Sequence, residues 1–289
     1  VKRTAPFSDE EIVFIRKWGI MPIDRTGLLH DCLHNVNTDS PLPDATDEVT
    51  LQQCIDERCG EIAGKPDIAL MWSGGIDSTL AFYALVDHGI SFECLGDQKS
   101  VAEYPELADQ IKRGQFSGVE WVDRPRSTYD SYYKTRTLVT GELGDQMVGT
   151  DKLIFSYPDK QVREQDSKSE FGDKVFDRYH DAIKTVLGRD YLTVAEFAWA
   201  MNFLFKFTNV KRRMKRIFNL DRQDRLSHFF DSQSFQRWAL QNYRDNVHFD
   251  EVTDYKMAYK DYIHSHNGDD SYRSSKVKEG SLVLVPVVR

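Results

Sequence analysis

Cysteine is scarce: 289 residues hold only Cys32, Cys54, Cys59 and Cys94, with no C-x-x-C pair among them. Disulfide frameworks belong to small secreted domains that lack a core, whereas this chain is long enough to bury one large core or two modest ones. Long apolar runs are absent as well. None approaches the roughly 20 residues that cross a bilayer, and Val1 to Ser8 lacks the apolar centre of a signal peptide, so a soluble, cytoplasmic protein with no membrane partner is expected. Positive charge is in deficit. The formal net charge of −8 argues against sequence-independent binding to nucleic acid. Internal repeats and low-complexity segments are missing, and the G-x-x-x-x-G-K-[ST] phosphate loop occurs nowhere.

What is present is a different glycine turn. Residues 68–79 read Ile-Ala-Leu-Met-Trp-Ser-Gly-Gly-Ile-Asp-Ser-Thr, an apolar run, a turn, and the opening of a second apolar stretch. The pattern predicts strand, phosphate loop and helix. Gly74 and Gly75 permit backbone conformations that turn consecutive N–H groups toward an anion, and the helix that follows points its positive end at the same place. Ser73, Ser78 and Thr79 add hydroxyl donors. Asp77 is an acid in a place built for anions, which suits a carboxylate holding a metal ion that bridges to phosphate. The plainer alternative is a turn joining a buried strand to a helix capped by Asp77 or Ser78.

Around this loop the chain alternates. Strands are expected at 68–72, 91–95, 118–122 and 135–139, and helices at 47–62, 79–88 and 104–114. This predicts an α/β fold with a parallel, doubly wound sheet whose ligands sit at the carboxyl ends of the strands. Residues 1–46, with Pro6, Pro22, Pro41 and Pro43, read as a short helix at 9–18 followed by loop. Beyond about residue 155 the pattern becomes helical, at 171–187, 193–218, 232–243 and 250–263. Trp199, Phe203, Phe205, Phe207, Trp238 and Tyr243 read there as core. Three regions follow: an extension and lead-in helix at 1–60, an α/β core carrying the glycine loop at 61–155, and a mainly helical carboxyl-terminal region at 156–289.

A second motif, Thr140-Gly141-Glu142-Leu143-Gly144-Asp145-Gln146-Met147-Val148-Gly149, follows the strand at 135–139. It sets two acids three residues apart among glycines at the sheet's carboxyl end. If neighbouring strands bring Asp77 and Asp145 together, the pair can share Mg2+ that neutralises a triphosphate. A glycine-rich turn with solvated acids is the alternative.

Ser73-Gly74-Gly75-Ile76-Asp77-Ser78 resembles the S-G-G-x-D-S signature of the PP-loop ATP pyrophosphatases, which split ATP between its α and β phosphates. The segment 140–149 resembles the S-G-E-G-x-D-E-x-x-G-G motif of the asparagine synthetase carboxyl-terminal domain, a branch that includes the β-lactam synthetases. Gly141, Glu142, Gly144, Asp145 and Gly149 match. Thr140 replaces Ser, Leu143 stands at the second glycine, and Gln146 replaces the second acid, removing a charge near the metals. Tyr272-Arg273-Ser274-Ser275-Lys276-Val277-Lys278-Glu279 is similar to the family's lysine loop, R-x-K-E, with Lys276 on the Arg and Lys278 on the catalytic lysine.

The resemblance implies an AMP-forming carbon–nitrogen ligase that uses ATP and Mg2+, adenylates a small-molecule carboxylate and passes the acyl group to ammonia or an amine. Ser73, Gly74, Gly75, Ser78, Thr79 and Gly141 would hold pyrophosphate, and Asp77 and Asp145 the metal. Leu95 and Gly96 would meet adenine and ribose, Glu142 would orient or deprotonate the amine, and Lys278 would stabilise the tetrahedral intermediate. About seventy residues before the loop are too few for the family's glutaminase domain, so nitrogen is expected from free ammonia, from the substrate, or from a partner chain. Two alternatives stand beside this: a PP-loop enzyme adenylating a nucleobase or tRNA, favoured by the basic run Lys211-Arg212-Arg213-Met214-Lys215-Arg216, and a non-catalytic ATP-binding module, hinted at by Gln146 and by the missing glutaminase.

Other clusters read as structure. His30, Cys32 and His34 alternate like zinc ligands but have no paired motif, and they read as a polar edge. His264, His266, Asp269 and Asp270 read as a mobile loop. The basic run reads as a solvated helix face, and Cys54 and Cys59 as half-buried small residues.

Overall fold

The structure is a computed structural model that describes residues 12–13, 23–29, 41–44, 47–125, 127, 130–218 and 225–277. Short runs rich in β-branched and aliphatic residues form five parallel strands: β1 (Ile68–Met71), β2 (Phe92–Gly96), β3 (Val119–Asp123), β4 (Thr137–Thr140) and β5 (Leu226–His228). Their order is β3-β2-β1-β4-β5. β1 and β4 run in register, with Met71 opposite Thr140, so the loops leaving them start side by side. The strand order reverses between these two, and at such a switch point the loops diverge and leave a crevice.

The central strands β1, β2 and β4 bury both faces, because helices cover both, whereas the edge strand β3 stays partly exposed. Leu70, Trp72, Cys94 and Val139 join the large core with the helices Leu51–Ala63, Ile76–Asp87 and Gln233–Val247. Ala69, Leu95 and Leu138 face the other way, onto Tyr133, Met214 and Phe218. The second face is thereby covered by the helix Phe207–Ile217, which carries the basic run.

The carboxyl-terminal region is mainly helical, as expected, yet it also supplies β5, which pairs with β4. Three residues are too few for an alternation signal to register, and the sheet thus extends past residue 155. The expected helix at 104–114 is present as Pro105–Lys112, and a short helix that was not expected, Gln98–Glu103, precedes it; the two stay separate because the residue before a proline is driven out of the α region, and Tyr104 sits at φ −147°. The expected helix at 193–218 is α-helical over Val194–Ala200, π-helical over Met201–Lys206, and α-helical again over Phe207–Ile217. That at 250–263 breaks at Lys256, between a 3-10 turn, Val252–Asp254, and the helix Met257–Asn267.

His264 and His266 lie within that last helix, not in a loop. Gly268, at φ +62°, ends it, and Asp269 caps the helix Asp270–Ser275. Cys54 and Cys59 are fully buried, and burial pushes both thiols up to about 12. Residues 23–29, expected as loop, pack onto the π-helical turn, where Ile23 N–H donates to Phe205 O at 2.8 Å. Most of the helix expected at 9–18, and the cluster His30, Cys32 and His34, lie outside the described residues. Among the described residues no helix is long and apolar enough to cross a membrane.

Candidate active site

The turn after β1 is held by its own hydroxyls. Ser78 Oγ accepts from Ser73 N–H at 3.1 Å, lies 2.9 Å from Ser73 Oγ and donates to Gly75 O at 3.0 Å. Gly74 has φ +78°, and a Cβ there would stand 2.5 Å from Ser100 O and 2.6 Å from Glu103 Cβ. Only glycine fits, on both counts. The helix Ile76–Asp87 starts at Gly75 with no side-chain cap. Its amino-terminal dipole is thus left for an anion. Thr79 departs from the expectation: it is fully buried, and its hydroxyl accepts from Trp72 Nε1 at 3.2 Å, so it ties helix to strand instead of facing the mouth.

The loop after β4 is pressed against this helix start. A Cβ on Gly141 would lie 2.7 Å from Ser78 N, and one on Gly144 would lie 2.5 Å from Asp77 Cγ and Oδ1. Both glycines are therefore set by the close approach of one motif to the other. Leu143 takes φ +77°, a conformation natural to glycine, and is buried. A non-glycine residue held there costs roughly 1–2 kcal/mol.

Asp77 and Asp145 meet at a third side chain, which sequence reasoning missed. Lys256 Nζ stands 2.5 Å from both Asp77 carboxylate oxygens and 2.6 Å from Asp145 Oδ1, with 1 % of its side chain exposed. Removing one member of a buried ionic cluster typically costs about 3–5 kcal/mol, because the charges left behind have lost their partner. Tyr255 OH lies 3.5 Å from Asp145 Oδ1. Lys256 also has φ +62°, so of the three non-glycine residues with positive φ among those described, two, Leu143 and Lys256, stand at this cluster.

Glu142 points to the other side of the mouth. Arg213 Nη2 donates to both its oxygens at 2.8 Å. Beneath them, Glu142 N–H donates to Thr140 Oγ1 at 3.2 Å, Thr140 Oγ1 meets His228 Nδ1 at 2.7 Å, and His228 Nε2 meets Lys211 O at 3.1 Å. A carbonyl oxygen can only accept, so in the neutral ring Nε2 carries the proton and Nδ1 accepts from the threonine. Burial holds the His228 pKa below its ordinary value, in keeping with a neutral ring. Lys211 pairs with Asp231 at 2.8 Å. The basic run is thus not merely a solvated face, since two of its cations are bound to acids along the carboxyl edge of the sheet. Gln146 does not border the carboxylate pair. It is buried, and its amide donates to Asn202 Oδ1 at 3.0 Å, while Asn202 Nδ2 donates to Asp145 O at 2.9 Å and Gly149 O at 3.0 Å.

Leu95 and Gly96 do not present side-chain surface to a nucleotide. Leu95 is fully buried, and the Trp121 ring fills the space over Gly96, where a Cβ would lie 2.0 Å from it. Arg124, which the sequence did not single out, joins the strand ends instead. Its Nη2 donates to Trp72 O at 2.5 Å and Leu95 O at 3.3 Å, and its Nη1 to Asp97 Oδ2 at 3.2 Å. Lys278 lies outside the described residues. Lys276, two residues earlier, pairs with Glu103 at 2.7 Å and donates to Glu103 O at 2.9 Å. That places Lys276 near Gly74, which also abuts Glu103.

No family model matches this chain, and no curated protein matches it. The chemistry must therefore be argued from the site. Two carboxylates reaching one point suit Mg2+, which takes one or two protein carboxylates and completes its octahedron with water and substrate phosphates. A cleft of about 550 Å3 elsewhere, lined by Lys65, His88, Glu93 and Arg136, lies at the amino ends of the strands and holds neither motif.

Proposed function

We propose that this protein is an ATP-dependent ligase of the PP-loop type, asparagine synthetase-like, which adenylates a carboxylate and transfers the acyl group to ammonia or an amine. One observation carries the reading. Two glycine loops from adjacent strands are packed so closely that Asp77 and Asp145 converge, at 2.5 and 2.6 Å, on one cation beside an uncapped helix start.

On this reading the Ser73–Gly74–Gly75 turn and the first turn of the helix Ile76–Asp87 hold the β and γ phosphates, with Lys256 as a further cation for the same oxygens. Asp77 and Asp145 would hold Mg2+, which would supply positive charge against the triphosphate and the departing pyrophosphate. An oxygen of the substrate carboxylate attacks the α phosphorus. The Pα–O bond to the β phosphate breaks, and pyrophosphate leaves. The amine then attacks the carbonyl carbon of the acyl-adenylate, the C–O bond breaks, AMP leaves, and Glu142 takes the proton that the nitrogen loses. Arg213 orients Glu142 for that step. Lys278 would carry the charge of the tetrahedral centre.

The test is a pyrophosphate-release screen with Mg2+-ATP over amino acids and other carboxylates, with and without ammonia. Release with at least one carboxylate is expected, lost in Asp77→Ala. Equal release from Asp77→Ala would mean that the site is assigned wrongly.

A second reading, a nucleobase or tRNA as acceptor, is favoured by the basic helix Phe207–Ile217 bordering the same mouth. It predicts release only when RNA is added. For the third reading, a non-catalytic ATP-binding module, the Gln146 amide is paired with Asn202, and the same screen decides: ATP binding without pyrophosphate release with any carboxylate would support it.

A further inference from the structure

Lys256 occupies the point at which a metal shared by Asp77 and Asp145 would sit, and this conflict bears on the order in which ligands bind. The ammonium takes both oxygens of Asp77 and Oδ1 of Asp145, at 2.5, 2.5 and 2.6 Å. It is nearly sealed from solvent, and its backbone is held at φ +62°, outside the conformations that lysine prefers. A side chain kept there against strain is a built-in occupant, not a surface lysine that has folded over. Among the described residues there is no group of three or more His, Cys, Asp or Glu side chains able to hold an ion. Two carboxylates that already share one ammonium are a poor site for a dication, which would have to sit beside that charge at close range.

We infer that Lys256 is a resident counter-ion that keeps divalent metal out of the Asp77–Asp145 pair until a nucleotide arrives. The inference rests on the reading of this site as a triphosphate site. Phosphate oxygens then give the ammonium new partners and give the metal its missing ligands, so metal enters with the nucleotide and is not loaded beforehand. Conversely, the ammonium keeps two facing carboxylates compensated while the site is free of substrate, which a metal-loaded resting enzyme would not need.

The experiment is Mn2+ binding, followed by the electron-paramagnetic-resonance signal of the free ion, with the nucleotide analogue α,β-methylene-ATP as probe. Wild-type protein without nucleotide is expected to bind no Mn2+ at sub-millimolar concentration and, once the analogue is added, to take up Mn2+ beyond what the analogue chelates in a protein-free control. Lys256→Met is expected to bind Mn2+ without nucleotide at least ~10-fold more tightly than wild type, because the competing charge is gone. Lys256→Arg keeps the charge and is expected to stay closed to the metal. Tight Mn2+ binding by nucleotide-free wild type overturns the inference, as does an equal gain in the Met and Arg variants, which would mark a packing effect. If Lys256→Met does not fold, the wild-type arm still decides. Failure of the analogue to bind, with or without Mn2+, sinks the ATP reading separately, while the nucleotide-free arms continue to judge the counter-ion.

Discussion

Gly144 carries no side chain because Asp77 stands where one would go, with Cγ and Oδ1 both 2.5 Å from the would-be Cβ. Gly144→Ala must therefore push the Asp77 carboxylate off Lys256. The expected result is a fall in pyrophosphate release of about 10- to 100-fold, as misplacement of a reacting group by an ångström commonly gives, with a modest loss of melting temperature. Unchanged release would show that the position of Asp77 does not matter. The thiols make a second prediction. Cys54 and Cys59 are fully buried, with pKa values pushed up to about 12 by burial, so mass-mapped alkylation at pH 8 should leave both unmodified in native protein and modify both after denaturation. At this scale the glycines, Asp77, Glu142 and Asp145 were legible because each motif is short and local. Lys256 was not, because its partner Asp77 lies 179 residues away and nothing beside it in sequence marks the contact.

Among the elements, the π-helical turn Met201–Lys206 interrupts an otherwise regular helix and brings Asn202 to the carbonyls of Asp145 and Gly149. Such turns cost hydrogen-bond quality and tend to occur where a side chain must be re-aimed. Asn202→Ala would take this donor from the Gly149 carbonyl and the acceptor from the Gln146 amide, while Asp145 O keeps the Gly149 N–H at 3.1 Å, for an expected loss of about 1–3 kcal/mol in chemical denaturation. Full stability in that variant would show that the network is dispensable. The amphipathic pattern made the long helix legible, but the extra residue of a π turn leaves composition and periodicity almost unchanged, so its place was not. β5 escaped for a related reason. Its three residues are fixed by Arg58, which is buried and donates to Ser227 Oγ and His228 O, both at 2.7 Å. Those contacts join a helix near the start of the described chain to a strand near its end, and no local pattern carries them.

Across the whole molecule, one continuous core runs from the helix Leu51–Ala63 to Tyr272, so the sheet and the carboxyl-terminal helices share their interior. A buried acid sits within the helical part. Burial alone would raise the Glu196 pKa, but His248, the Thr193 N–H and Arg189 outweigh it and hold the carboxyl at about 2, below its ordinary 4.5. Because the folded value is depressed, this group stabilises the protein above about pH 4.5 and loses that contribution as pH falls toward 2. The difference is worth on the order of 3 kcal/mol. Glu196→Gln should flatten the fall in stability over that window, and a parallel fall in the variant would assign the acid sensitivity elsewhere. The α/β class and the parallel sheet were legible from alternation, and the switch point between β1 and β4 is what turns two separate motifs into one site. The claim that this site splits ATP at its α phosphate is tested most directly by 31P NMR of Mg2+-ATP incubated with the protein and the carboxylate that the screen selects. The account predicts AMP and pyrophosphate in equal amounts, absent with Asp145→Asn, whereas ADP and inorganic phosphate would contradict it.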